Sequence, residues 1–85
     1  MDLNFITLNH SIYSKNEHGR ILCEIRFPER EPGVFNIEST YVAGEFIGTE
    51  LPGQLVEAAL AKIKEQGGRV EAEDPYARMY LSRKR

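Results

Sequence analysis

Between Leu51 and Gln66 the apolar residues Leu51, Leu55, Val56, Ala59, Leu60 and Ile63 recur at helical spacing, with Glu57, Lys62, Lys64 and Glu65 mostly opposite. A helix with one apolar face needs a surface to cover that face, and this requirement shapes the reading of the rest of the chain. Thr49 is placed to cap the first turn. Pro52 is tolerated there because first-turn amides have no intrahelical acceptor, and Gly67-Gly68 supplies a stop.

The covering surface is found upstream, where the period changes to two. Ile21, Cys23, Ile25 and Phe27 fall on one face of an alternating run, and Glu24 and Arg26 fall on the other. Ahead of it, Ser11 to Lys15 carries Ile12 and Tyr13, and Asn16-Glu17-His18-Gly19 has the composition of a hairpin loop. Pro28 to Gly33 reads as a loop, because proline removes ladder donors. A third strand is expected from Val34 to Val42, antiparallel to its predecessor, followed by a glycine-bearing turn from Ala43 to Gly48. After the helix, Arg69 to Glu73 reads as a short strand and Pro75 to about Ser82 as a terminal helix packed through Met79 and Tyr80. The order is β-β-β-α-β-α, an α/β (α+β) fold with a mostly antiparallel twisted sheet, expected as a single domain over residues 1–85.

Composition narrows the partners. Thirteen acidic residues against eleven Lys and Arg give a net charge of -2, without the basic excess that nucleic-acid phosphates require. The single cysteine, Cys23, cannot form an internal disulfide and points with Ile21 and Ile25 into the core. No stretch reads as a signal peptide or a membrane span, so the expectation is a cytoplasmic protein with neither membrane nor nucleic-acid partners. His10 and His18 lie without cysteine or carboxylate neighbours at ligand spacing, which argues against a metal site.

Three pieces, Ile37-Glu38-Ser39-Thr40-Tyr41-Val42, Leu55-Val56-Glu57-Ala58-Ala59-Leu60 and Pro75-Tyr76, fall at a shared spacing without gaps. In that arrangement the chain resembles the smallest GNAT-type acetyltransferases, a branch lacking the family's usual extra elements. The resemblance implies a minimal acyl-CoA N-acyltransferase fold, acetyl-CoA as co-substrate and an amine as acceptor. It places Thr40, Tyr41 and Val42 along the pantetheine arm, and Gly48, Thr49, Gly53 and Gln54 around the diphosphate. The physics of the latter is general: unpaired amides and the positive end of a helix favour an anion.

The family's turn reads Arg or Gln, two residues, Gly, one residue, then Gly or Ala. Laid on this chain it falls on Ile47, Gly48, Thr49, Glu50, Leu51 and Pro52, so the basic or amide position and both later small positions are replaced. Asp74 stands where the branch often has a cysteine, and Ser39 where it has a histidine. A carboxylate cannot act as a thiol nucleophile without forming a labile mixed anhydride, so direct attack by the amine on the thioester is the expected route. That route needs a base, for which Glu38 and Asp74 are candidates, and an acid, for which Tyr76 and Tyr80 are candidates.

Each of these residues also has a plain structural reading. The 48–54 turn can be an ordinary strand-to-helix loop, Glu38 an exposed strand carboxylate, Asp74 a helix N-cap, and Tyr76 and Tyr80 packing residues four apart on a helix. The alternative function is accordingly a catalytically inactive GNAT-like binding or interaction module. An exposed strand edge would also suit self-association, which leaves a homodimer open.

Overall fold

The computed structural model describes residues 3–84. Strands β1 (Ile6–Thr7), β2 (Ser11–Lys15), β3 (Ile21–Arg26), β4 (Glu29–Glu31), β5 (Val34–Ile37) and β6 (Ser39–Val42) precede helix α1 (Leu51–Glu65). Strand β7 (Arg69–Ala72) and helix α2 (Pro75–Arg83) follow it. The expected mixed α/β class holds.

The predicted hairpin is β2 and β3, paired antiparallel. Asn16 builds its turn: the side-chain oxygen accepts from the amides of His18 (2.9 Å) and Arg20 (3.0 Å), and Gly19 takes the left-handed conformation. A bulge beside Ser14 and Lys15 breaks strict alternation on β3. Leu22 and Cys23 are both buried, and Ile21, expected inward, is 37% exposed.

Two expectations for the middle of the chain are corrected. Residues 28–33 are not all loop, because Glu29–Glu31 pairs with β5 as an exposed edge strand. Pro32 sits in the turn, where its missing amide costs no ladder bond. The third strand, expected to run unbroken from Val34 to Val42, is divided at Glu38, and its halves belong to different sheets. The second half, β6, pairs antiparallel with β3 as expected, in a sheet ordered β1-β2-β3-β6. The first half, β5, instead pairs parallel with β7, in a sheet ordered β4-β5-β7. The two sheets therefore part where β5 becomes β6.

Helix α1 lies across the division. Its stripe of Leu51, Leu55, Val56, Ala59 and Ile63 is buried with Ile12 and Ile25 from one sheet, Phe35 and Ile37 from the other, and Phe27 just past β3. Thr49 is not the N-cap; Glu50 occupies that position without a side-chain cap bond. The Thr49 hydroxyl still accepts from the Leu51 amide at 3.2 Å and donates to the Phe46 carbonyl at 2.6 Å.

At the other end the glycine stop is a Schellman motif. The Gly68 amide donates to Ile63 and the Gly67 amide to Lys64, each at 2.9 Å, with Gly67 left-handed. Gly68 is required for space, since a Cβ there would lie 2.4 Å from two atoms of the Phe35 ring. On α2, Met79 was expected to pack but is 42% exposed, whereas Ala77 is fully buried. Tyr80 does pack against the core, together with Tyr76.

The Phe35 contact predicts that Gly68→Ala, an addition of one methyl, destabilises the fold by about 1–3 kcal/mol in urea denaturation. Gly44→Ala, at a position with open space around it, is expected to change stability by less than about 0.5 kcal/mol.

Candidate functional site

The parting of the sheets leaves one side of β6 without a strand partner. Its inner side is taken by β3, with Thr40 opposite Ile25 and Val42 opposite Cys23. The Thr40 amide points away from β3 and donates to Asp74 Oδ1 at 3.1 Å. Ladder alternation turns the Val42 amide to that same open side. The Thr40 hydroxyl oxygen is buried and has no hydrogen-bond partner among the described residues. A buried oxygen without a partner costs free energy unless something else supplies one. Tyr41, by contrast, stands opposite Glu24 and is 48% exposed on the other face of the sheet, away from this edge.

Asp74 is the hinge of the arrangement. Its Oδ2 accepts from the Ala77 amide at 2.8 Å, which caps α2, while its Oδ1 holds Thr40. Its own amide donates to the Ile37 carbonyl at 3.1 Å, at the end of β5. The expected N-cap is thus real, and both carboxylate oxygens are engaged by backbone amides. Glu38, at the division itself, faces Arg26 and Arg30, each at 3.5 Å. The same Arg30 pairs with Glu73 at 2.7 Å, and Glu73 also accepts from the buried Asn36 amide group. The two candidate bases therefore differ: Asp74 is fully bonded, and Glu38 has only long contacts to arginines.

Between α1 and α2 lies an open hollow of about 490 Å³. Five of the residues singled out in the sequence meet there: Thr49, Gly53 and Gln54 from the start of α1, and Tyr76 and Tyr80 from α2. Close approach of the helices explains Gly53, since a Cβ would come within 3.2 Å of the Tyr80 ring. Gly48 does not line the hollow; its left-handed conformation makes the turn that leads into the helix. A neighbouring hollow of about 470 Å³ shares Thr49, Glu50 and Gln54 and extends over Leu3, Phe46 and Leu51.

Glu50 and Glu57 also line the first hollow. Sequence reasoning missed Glu57, which it left on the solvent face of the helix. Glu57 accepts from the Tyr80 hydroxyl at 2.5 Å and pairs with Lys84 at 2.9 Å. These contacts join residues more than twenty positions apart, so no local pattern could have shown them. The bond to Glu57 pushes the Tyr80 phenol up to about 12, and the bonds from Tyr80 and Lys84 hold the Glu57 carboxyl below the usual carboxylate range. Tyr80 thus directs its proton at Glu57, and Tyr76, stacked on it with ring centroids 6.2 Å apart, is the hydroxyl left for other chemistry.

The start of α1 fits a diphosphate poorly. A helix opens with unpaired amides, but here Leu51 donates to Thr49, Pro52 has no amide, and Gln54 donates to the Glu50 carbonyl. Gly53 remains as the first-turn donor, in the hollow that Glu50 also lines. The β6 edge, with an outward amide at Val42 and an unpartnered oxygen at Thr40, fits an extended amide-bearing chain.

Among the described residues no group of three or more His, Cys, Asp and Glu could hold a metal, and no helix is long and apolar enough to cross a membrane. A family model described as GCN5-related N-acetyl-transferase matches residues 11–85. No curated protein sequence matches significantly. Among solved structures, a Staphylococcus aureus protein named for its likeness to GCN5-type N-acetyltransferases superposes with a TM-score of 0.79 at 21% identity, over 96% of this chain and 80% of that one. A GNAT-family protein from Desulfovibrio desulfuricans gives 0.63 at 17% identity, over 74% of this chain and 41% of its own. A ribosomal-protein-alanine N-acetyltransferase from Brucella melitensis gives 0.58 at 17% identity, over 76% and 49%. This chain therefore spans less than half of the latter two, and the likeness to all three shows the fold.

The Tyr80–Glu57 bond has a definite pH signature. With the folded phenol at about 12 against an ordinary value of 10.0, its contribution to stability is complete below pH 10 and lost as pH rises from there through 12. Tyr80→Phe should flatten the alkaline limb of the stability curve between those values, measured by chemical denaturation across pH. Ultraviolet titration of the wild type should show one phenol ionising later than the rest.

Proposed function

The chain belongs to the GCN5-related N-acetyltransferase family, and on that premise we propose that it transfers an acetyl group from acetyl-CoA directly to an amine. The observation that carries this reading is the unpaired outer edge of β6, where Thr40 and Val42 can receive the acyl-pantetheine arm as an added strand. Gly53 supplies the first-turn amide toward the diphosphate, with Thr49 and Gln54 lining the same hollow and Gly48 shaping the turn. Because that end carries Glu50 and lacks the amide of Pro52, the arm contributes more to binding than the diphosphate does.

In the reaction the neutral amine nitrogen attacks the thioester carbonyl carbon, an amide C–N bond forms, and the C–S bond breaks with its electron pair leaving on sulfur. The ammonium must lose one proton before attack, its nitrogen must shed a second as the amide forms, and the departing thiolate must gain one, so the second nitrogen proton makes good the one given to sulfur. We assign the removal to Glu38, whose arginine contacts at 3.5 Å leave its oxygens accessible, rather than to Asp74, whose oxygens are both engaged. Protonation of the thiolate falls to Tyr76, since the Tyr80 proton is held by Glu57.

A second reading, a GNAT-like module without catalysis, is favoured by one observation: the acidic, amide-poor start of α1. Calorimetric titration separates the two. Micromolar binding of acetyl-CoA, with acetyl-pantetheine within about tenfold of it (a difference of about 1.4 kcal/mol), supports the transferase. No heat and no thermal shift at millimolar ligand favours the module. Given activity, Tyr76→Phe should lower kcat about a hundredfold with little change in acetyl-CoA affinity, the pattern of a lost general acid.

A further inference from the structure

Asp74 touches two elements that a ligand along β6 would have to fit between. One carboxylate oxygen caps α2 through Ala77 at 2.8 Å, and the other sits on the outward amide of Thr40 at 3.1 Å. That amide is a donor an added strand would use, since edge strands are recognised through their outward-facing backbone groups. Thr40 also carries the buried hydroxyl without a partner, an independent sign that its surroundings are incomplete as they stand. The free protein therefore satisfies half of Thr40 with its own side chain and leaves the other half unsatisfied.

We infer that Asp74 is a specificity-determining residue of this edge. Its Oδ1 stands in for the carbonyl oxygen of an extended acyl-amide ligand, and the ligand must displace it to pair with β6. The inference rests on the proposed docking of acyl-pantetheine at β6, and it assigns Asp74 the part of a competitor and positioning group instead of a base. The competition is one-sided. Oδ2 can keep the α2 cap while Oδ1 is released, so displacement loses one charge-assisted hydrogen bond and leaves the helix start in place.

Asparagine separates the two bonds. It caps helices as well as aspartate does, but where aspartate has its second oxygen asparagine has an NH2 donor, so with its oxygen on the Ala77 amide it turns a donor toward the Thr40 amide. In Asp74→Asn the expected result is at least about tenfold faster hydrogen exchange at the Thr40 amide with Ala77 unchanged, and acetyl-CoA bound about tenfold more tightly than by wild type in calorimetric titration. Asp74→Ala, which loses both bonds, should speed exchange at both amides, and this control reports on α2 independently of ligand. Continued protection of Thr40 in Asp74→Asn would overturn the inference. So would a released Thr40 with acetyl-CoA affinity equal to or weaker than that of a wild type that binds, and this result leaves the acetyl-CoA reading standing. Absence of binding by both proteins at millimolar acetyl-CoA overturns that reading and the inference together. Binding by the variant alone supports both.

Discussion

The parallel pairing of β5 with β7 is the constraint on which the rest of the molecule depends. One stretch, residues 34–42, enters the structure as β5, held on one side by the short edge strand β4 and on the other by β7. Past the single residue Glu38 the same stretch is antiparallel to β3. A strand has two edges, and along β5 these are taken by β4 and β7, so β3 pairs only with the residues beyond Glu38, where the sheets separate. Helix α1 bridges the separation, with apolar contacts to both sheets, and so keeps the opening from closing or spreading. The return from α1 to β7 depends in turn on the Schellman turn at Gly67-Gly68, where the ring of Phe35 occupies the space a side chain would need.

What lies in the opening follows from that geometry. The outward edge of β6 meets the first residues of α2, and Asp74 joins them by using its two oxygens on two amides. Farther along, Tyr80 on α2 is fastened to Glu57 on α1, and Lys84 completes the cluster. These bonds fix the spacing of the two helices around the hollow in which Tyr76 and Gly53 meet. The chemistry available to the chain is set by which polar groups this framework consumes. The Asp74 oxygens and the Tyr80 hydroxyl already have partners within the fold, whereas the Thr40 hydroxyl has none among the described residues.

Much of the fold was legible in the residues. Ser11–Lys15 and Ile21–Arg26 announced themselves by alternation around a loop rich in turn formers, and α1 by its apolar stripe and its glycine stop. Asp74 before Pro75 read correctly as a cap. The Ser14–Lys15 bulge that turns Ile21 outward was not legible, because a bulge depends on the partner strand's register. Nor was the division at Glu38, since a buried run has the same alternation whether it stays in one sheet or changes to another. Met79 turned outward because the face of α2 that packs on the core carries Tyr76, Ala77 and Tyr80, and position 79 lies round the helix from them.

For the candidate site, the family resemblance brought forward Thr40, Tyr41, Val42, Gly48, Thr49, Gly53 and Gln54, residue chemistry added Glu38, Asp74, Tyr76 and Tyr80, and the replacement of three positions in the glycine turn was visible as plainly as the turn itself. Those are properties of local order along the chain: period, caps, turn chemistry and the presence or loss of an amide. Only the tertiary structure decided which of these groups are free. Asp74 lies thirty-four residues from Thr40, and Tyr80 lies twenty-three from Glu57. A hydrogen bond over such separations depends on where folding brings two elements together, and a carboxylate or phenol reads the same in the sequence whether its oxygen is taken or available.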